Sequence, residues 1–312
     1  MFLQFVSNLQ IVAVQVCILY LISGIGFVAD KTKIFRQADG KKLVDLVFNL
    51  ILPVAVIRSF MSMERTPEHI KGLFIAFGLA LLTHLLGVGL SMITYRRHSR
   101  MEQGIYHYAL TFSNAAFLAL PLAQSVVGDE GVFYSSCYVA VFNVFAFTFG
   151  INRISGGKAK INAKSLIFNP GSISVIIGIP LFLLQVQLPG FLTDAMDRVA
   201  ACNSPLAMIL FGTFFANCNF KNMFVKKEVY FLSFIRLVFI PLTMLMVFRL
   251  VGVQGNMLKA LTISASAPVA TNTAMYAAKY DNDTALSSEL VGQTSIFSIV
   301  TMPVIVALAS VI

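Results

Sequence analysis

The sequence lacks the patterns that indicate a catalytic or metal-binding protein. None of its four cysteines forms a C-x-x-C pair and its four histidines make no H-E-x-x-H pattern, so neither a disulfide framework nor a zinc site is predicted. It also lacks a phosphate-binding P-loop, a G-x-S-x-G nucleophile elbow and a dinucleotide fingerprint. We therefore predict that the protein is not an enzyme and uses no metal or cofactor.

Charged residues are scarce, at 12% of the 312 residues, and there is no tryptophan. Hydrophobic residues make up 57%, and they form runs too long for the core helices of a soluble domain. This pattern predicts an all-α polytopic membrane protein. The net charge of +9 does not indicate nucleic-acid binding, because the basic residues occupy short loops between apolar runs.

The apolar runs divide into ten segments, each near the roughly 20 residues that cross a bilayer. They are Phe5 to Val28, Leu43 to Met63, Gly72 to Tyr95, Gly104 to Val127, Val132 to Asn152, Ser165 to Leu188, Val199 to Asn217, Val229 to Val251, Leu258 to Ala278 and Thr284 to Ile312. Four alternate loops carry 15 of the 23 basic residues. The positive-inside rule assigns these loops to the cytoplasm and both termini to the extracytoplasmic side, in a bacterial inner membrane.

The two halves of the chain match at a constant offset of 152 residues. Pro53 matches Pro205 and Asp129 matches Asp281 at this offset. Five segments per half, an odd number, make the second half inverted relative to the first. The predicted organisation is a first repeat over 1–152, a cytoplasmic linker over 153–164 and an inverted repeat over 165–312, an arrangement typical of secondary transporters.

Two segments carry polar residues and proline at mid-membrane depth. They are FSNAAFLALP at 112–121 and SASAPVATNT at 264–273. Freed backbone groups are tolerated there only within protein or in a wet cavity, so we predict broken helices whose N-terminal N–H groups bind an anion. A continuous kinked helix, or a packing face of small residues, is the alternative. The candidate binding residues are Ser113, Asn114, Thr271, Asn272 and Thr273, and the candidate helix-breaking residues are Pro121 and Pro268.

Ionisable groups inside predicted spans are functional hypotheses by default. Glu289 and Gln293, one turn apart on the tenth segment, are candidates for a coupling proton or cation site. Glu289 could equally lie at the interface and balance Lys279. We expect Arg58 to reach the outer surface near Glu64, and Arg236 to pair with a carboxylate that the sequence does not identify.

Asn143, in the middle of the fifth segment, matches Ser295 at the same offset. Both are candidates to line a cavity beside the two breaks. Hydrogen bonds between packed helices explain these residues equally well.

Several motifs resemble the auxin efflux carrier family, which includes plant PIN proteins and bacterial malate or malonate permeases. They are NAAFLALP at 114–121, NPGSISVIIGIPL at 169–181, SPLAMILFG at 204–212, APVATNTAMYAAKYDND at 267–283, and a helix ending in the TMP turn at 301–303. The likeness extends over nearly the whole chain.

The resemblance implies ten helices in two inverted five-helix repeats, similar to the bile-acid sodium symporters. It implies a scaffold from segments 1, 2, 6 and 7, and a mobile core from segments 3 to 5 and 8 to 10 that moves like an elevator. Segments 4 and 9 would cross at their breaks and bind an organic anion, with Asn114, Pro121 and Pro268 matching the family's asparagine and prolines. Thr273 departs from plant members, which have a second proline there.

These observations predict a secondary transporter of a small organic carboxylate that works by alternating access. One alternative is a proton- or sodium-coupled symporter that uses Glu289, and another is a membrane sensor that binds an anion without moving it. The expected partners are the organic anion, the lipid bilayer and, as a homodimer, a second copy of the chain; nucleic acid is not expected.

Overall fold

The computed structural model describes residues 2–159, 169–218 and 222–311, which fold almost entirely into helices. The predicted linker from position 160 onward, and the predicted start of the sixth segment at Ser165, lie outside the described residues. In chain order the main helices are α1 (Phe2–Lys31), α2 (Lys42–Ser62), α3 (Pro67–Thr94), α4 (Arg100–Thr111), α5 (Ala115–Val127), α6 (Asp129–Ile154), α7 (Pro170–Leu184), α8 (Gly190–Ala216), α9 (Lys227–Leu250), α10 (Gly255–Ser266), α11 (Asn272–Lys279) and α12 (Thr284–Ala309).

Seven of these helices are long and apolar enough to cross a membrane, namely α1, α2, α3, α6, α8, α9 and α12. Two more, α5 and α7, are apolar but shorter. The chain is therefore a multi-pass membrane protein. The helix α12 continues to Ala309 with Pro303 inside it, so the TMP sequence does not end the helix as expected.

Polar caps start several helices before their apolar runs begin. Thr66 accepts a hydrogen bond from the His69 N–H at the start of α3. At the start of α4, Ser99 and Glu102 form a reciprocal capping box. The hydrogen bonds that Glu102 accepts from Ser99 lower the pKa of its carboxyl below the ordinary value.

Three of the four π-helical turns in the described residues end two residues before a proline. These turns are Val47–Ile51 before Pro53, Ala115–Ala119 before Pro121, and Ile235–Phe239 before Pro241. A proline has no N–H and its ring clashes with the carbonyl four residues earlier. The wider turn accommodates the ring, so each helix continues through its proline.

Glycines allow two helices from opposite halves of the chain to pack closely. α1 lies along the second half of α8, and α2 lies along α7. A Cβ on Gly212 would overlap the Ser23 carbonyl oxygen, and one on Gly26 would overlap the Ile209 carbonyl oxygen. The α1–α8 contact therefore depends on the absence of side chains at both positions.

Candidate functional site

The predicted fourth and ninth segments are both interrupted, and the two interruptions meet. α4 ends at Thr111 and α5 begins at Ala115, while α10 ends at Ser266 and α11 begins at Asn272. The Asn114 N–H donates to the Pro268 carbonyl at 2.7 Å, and the Ala270 N–H donates to the Phe112 carbonyl at 3.0 Å. These bonds make an isolated antiparallel bridge between Ser113 and Val269. We call residues 112–114 and 267–271 the crossover.

Further hydrogen bonds satisfy the backbone of the crossover. The Val269 N–H donates to the Thr294 hydroxyl of α12 at 3.2 Å. The Asn114 carbonyl accepts from both Leu118 and Ala119, each at 3.1 Å. Non-helical backbone at membrane depth therefore finds its partners within the protein, as the absence of bulk water there requires.

Several side chains at the crossover have no such partner. Ser113 Oγ, Asn114 Nδ2 and Thr271 Oγ1 are buried without a hydrogen-bond partner in the protein. A buried polar group without a partner costs about 1–3 kcal/mol. This local concentration of unused hydrogen-bonding capacity is typical of a ligand site.

A cavity of about 190 Å³ reaches the crossover. Ser113 and Asn114 face it from one interruption, and Ala270 and Asn272 face it from the other. The rest of the lining comes mainly from α2, α6 and the start of α7. Aliphatic and aromatic side chains dominate it, and they include Phe48, Leu52, Phe117, Val139, Phe142, Phe147 and Tyr276.

The N-terminal ends of three helices border this cavity. Ala115 and Ala116 begin α5, Pro170 and Gly171 begin α7, and Asn272 begins α11. The N-terminal end of a helix carries partial positive charge. Several of the first N–H groups already have acceptors here, because Ala115 donates to the Ser113 carbonyl, Ser172 to the Asn169 side chain and Thr273 to the Ala270 carbonyl. No Lys, Arg, Asp or Glu side chain lies among the described residues that line the cavity. The site therefore offers uncharged donors and helix dipoles to a bound group.

Four of the six predicted binding residues line the cavity. They are Ser113, Asn114, Asn143 and Asn272. Thr271 and Thr273 do not, and the Thr273 hydroxyl donates instead to the Ala270 carbonyl at 2.7 Å. Ser295, the counterpart of Asn143, also lies elsewhere, because its carbonyl accepts from the Tyr20 hydroxyl of α1 at 2.7 Å.

The two predicted helix-breaking prolines differ in position. Pro268 lies inside the crossover, and its carbonyl takes part in the pairing. Pro121 lies in the helical part of α5, because the preceding π turn absorbs its ring. It borders a second cavity, of about 260 Å³.

Arg58 also borders this second cavity. It forms an ion pair with Asp197 of α8, with Nε 2.7 Å from Oδ1, a partner that the sequence did not indicate. Neither interruption of the crossover contributes to the lining of this cavity.

Glu289 and Gln293 bind residues near the start of α9. Glu289 is 2.8 Å from Lys226 Nζ, so its charge is balanced by Lys226 and not by Lys279, the partner in one of the two alternatives. Gln293 accepts from the Ser233 hydroxyl at 2.7 Å and donates to the Met223 carbonyl at 2.8 Å. Neither lines the crossover cavity.

Sequence reasoning missed two polar residues of the cavity. Asn169 caps α7 by accepting from the Ser172 N–H at 2.9 Å, and Tyr276 lies on α11. The N-P-G sequence at 169–171 is a recognisable helix start, and this signal could have identified Asn169 as a cap. The approach of Asn143 to Gly171, where a Cβ would lie 2.5 Å from the Asn143 Nδ2, depends on tertiary packing.

Comparison with known proteins relates the chain to transporters. A family model described as membrane transport protein matches residues 11–166 and 158–306. The chain is 22% identical over 297 residues to an uncharacterized transporter of Methanocaldococcus jannaschii, a match that covers 91% of this chain and 94% of that protein. These matches indicate a transporter and not an enzyme.

Proposed function

The chain belongs to the auxin efflux carrier family of membrane transport proteins, and from that premise we propose that it carries a small organic carboxylate across the membrane by alternating access. The carboxylate binds at the crossover, in the cavity that Ser113, Asn114 and Asn272 line. The observation that carries this proposal is the pair of buried polar side chains without a protein partner, Ser113 and Asn114, beside the N-terminal end of α5.

A carboxylate suits this donor set. Helix N-termini and amide donors favour an anion, and charge-assisted hydrogen bonds are roughly twice as strong as neutral ones. Because the described lining contains no fixed positive charge, the site would hold the anion without a direct ion pair. Such binding suits a substrate that must also be released.

The apolar part of the lining favours an organic anion over an inorganic one. Phe48, Phe117, Phe142 and Phe147 surround the space beside the donors. An aliphatic or aromatic body would pack against these rings while the carboxylate faces the crossover.

Helix packing supports two inverted five-helix repeats. The repeat relates predicted segment 1 (α1) to segment 6 (α7), and segment 2 (α2) to segment 7 (α8). The contact of α1 with α8 therefore has its counterpart in the contact of α7 with α2. We propose that α1, α2, α7 and α8 form the scaffold and that the remaining helices form a core that moves like an elevator. The prediction of a homodimer stands as part of this proposal.

Several residues that line the cavity are close in sequence to the predicted cytoplasmic loops. Val44, close to Lys42, and Phe147, close to Arg153, line it together with Asn169. In this proposal the conformation is inward-facing, both termini are extracytoplasmic, and the membrane is a bacterial inner membrane.

Counterflow in proteoliposomes tests the transport of carboxylates. Vesicles loaded with unlabelled malonate, malate, lactate or an aromatic acid should accumulate the same acid in labelled form, whereas empty liposomes should not. A protein that is stabilised against thermal unfolding by one of these acids but shows no counterflow of it would be a sensor, and the proposal would fail.

A coupled symporter remains the second candidate, and the ion pair of Glu289 bears on it. Because Lys226 already neutralises this carboxylate, we expect Glu289 to stabilise the protein and not to bind a coupling ion. Flux that rises with a pH or sodium gradient in the native protein, and not in Glu289→Gln, would favour the coupled symporter.

A further inference from the structure

Arg236 is a buried charge close to the crossover. It lies in the π-helical turn Ile235–Phe239 of α9, and 1% of the residue is exposed. Burying a guanidinium inside a membrane protein is unfavourable unless the site compensates its charge. The compensation found here comes from the broken helix.

The guanidinium binds the C-terminal end of α10. Its Nη2 atom donates to the Ala265 carbonyl at 3.0 Å and to the Ala267 carbonyl at 3.1 Å. The C-terminal end of a helix carries partial negative charge and carbonyls without intrahelical donors. Arg236 therefore caps the half-helix that leads into the crossover.

No carboxylate compensates this charge in the described parts of the chain. Glu289 is the one buried acidic residue there, and it pairs with Lys226. The expectation of a carboxylate partner for Arg236 was wrong, because backbone carbonyls take that role. Its Nε has no hydrogen-bond partner in the protein. Among the described residues the charge is offset by polar groups, namely the two carbonyls and the neighbouring Tyr138 hydroxyl, and not by a carboxylate.

The guanidinium binds the chain directly next to the backbone pairing of the crossover. Its two acceptors belong to residues 265 and 267, and the next carbonyl, of Pro268, accepts the Asn114 N–H. Carbonyls at the C-terminal ends of broken helices coordinate the coupling cation in many secondary transporters. Here a side chain of the protein occupies such carbonyls.

We propose that Arg236 is a tethered cation, that is, a positive charge fixed to the protein at carbonyls that could otherwise bind a free cation. It holds the α10 end of the crossover, and its charge favours the binding of a carboxylate nearby. It is a positioning residue, because it acts through the backbone of the crossover and does not line the cavity. Its effect on binding rests on the proposed function, whereas its role as the cation of the α10 carbonyls does not. Removal of the side chain would leave a site that accepts a free cation.

Thermal unfolding of the purified protein in detergent tests the cation role without any substrate. Arg236→Ala should unfold at a lower temperature than the native protein, and guanidinium chloride at millimolar concentration should restore part of the difference, whereas choline chloride should not. Arg236→Lys should unfold close to the native protein and respond to neither salt. Arg249→Ala, in the last turn of the same helix, is the matched control and should not respond to guanidinium. An Arg236→Ala protein indifferent to guanidinium would overturn the proposal.

Binding and counterflow of malonate test the electrostatic role. Arg236→Ala should bind malonate at least about tenfold more weakly, because it removes both a nearby positive charge and the group that caps α10 at the crossover, while Arg236→Lys should keep most of the affinity. Guanidinium should restore malonate counterflow to Arg236→Ala. Equal malonate affinity in Arg236→Ala and the native protein would overturn this role.

If Arg236→Ala does not fold, measurements on the native protein test whether Arg236 takes the place of a free cation. Its malonate counterflow and its unfolding temperature should be the same in sodium and in choline buffers, because the carbonyls are already occupied. Sodium-dependent stabilisation of the native protein would overturn the proposal. If no carboxylate binds but guanidinium rescues Arg236→Ala, the tethered cation stands and the proposed substrate class fails.

Discussion

Replacing Asn114 by alanine removes one donor from the proposed carboxylate site while the backbone pairing of the crossover remains. The Asn114 N–H and carbonyl, which make that pairing and start α5, are unchanged by the substitution. The side-chain Nδ2 is buried and has no partner in the protein. We therefore expect the variant to fold and to unfold at a temperature close to that of the native protein.

The expected loss appears in ligand affinity. A hydrogen bond to a charged acceptor contributes about 1.5–3 kcal/mol, which corresponds to a dissociation constant roughly 10 to 150 times larger for Asn114→Ala. Isothermal titration with malonate, or with the acid that best stabilises the native protein, measures this constant. Counterflow of the same acid should slow at concentrations below the new constant.

A matched control separates this effect from a general one. Asn217 lies exposed at the end of α8, away from the crossover cavity, and its side chain donates to the Thr213 carbonyl. Asn217→Ala should keep the native affinity. If Asn114→Ala also keeps it, the carboxylate does not bind at Asn114, and the reasoning from buried donors without partners is refuted.

Two further substitutions test packing and coupling. Gly212→Val should lower the free energy of unfolding by about 1–3 kcal/mol because its side chain would overlap the Ser23 carbonyl. Gly24→Val on α1 is the control and should unfold at the native temperature, because a Cβ there meets no atom within 4 Å. Equal unfolding temperatures of the two variants would contradict the α1–α8 packing. Glu289→Gln should lower the free energy of unfolding by at most about 1 kcal/mol, because an ion pair with the partly exposed Lys226 contributes little. The variant should leave the response of flux to pH and sodium gradients unchanged. A changed response would support the coupled symporter.

Hydropathy predicted the positions of the helices better than their ends. The predicted third segment begins at Gly72, whereas α3 begins at Pro67. The predicted fourth begins at Gly104, whereas α4 begins at Arg100. Both helices start in polar sequence, where a capping residue such as Thr66 or Ser99 fixes the first turn. A scale that measures only apolar character cannot detect such starts.

Residues of the candidate site that carry a polar side chain could be predicted from the sequence, whereas contacts made by backbone atoms could not. A polar residue at mid-membrane depth is visible in the sequence, and Asn114 and Asn143 were found in this way. The partners of Arg236 are carbonyl oxygens, which every residue carries, so no residue type reveals them. The ion pair of Arg58 with Asp197 joins residues 139 positions apart, and only the packing of α2 near α8 brings them together.

Thr273 stands where the resemblance to plant members would place a second proline, yet the interruption just before it is the longer of the two. Five residues separate α10 from α11, and three separate α4 from α5. The pairing uses the Pro268 carbonyl and the Ala270 N–H, and neither group depends on the side chain at 273. A proline at position 270 would remove a donor of the pairing, whereas a change at 273 removes none. Backbone atoms therefore hold the crossover together, and under the proposed function the side chains that face the cavity are free to determine which anion binds.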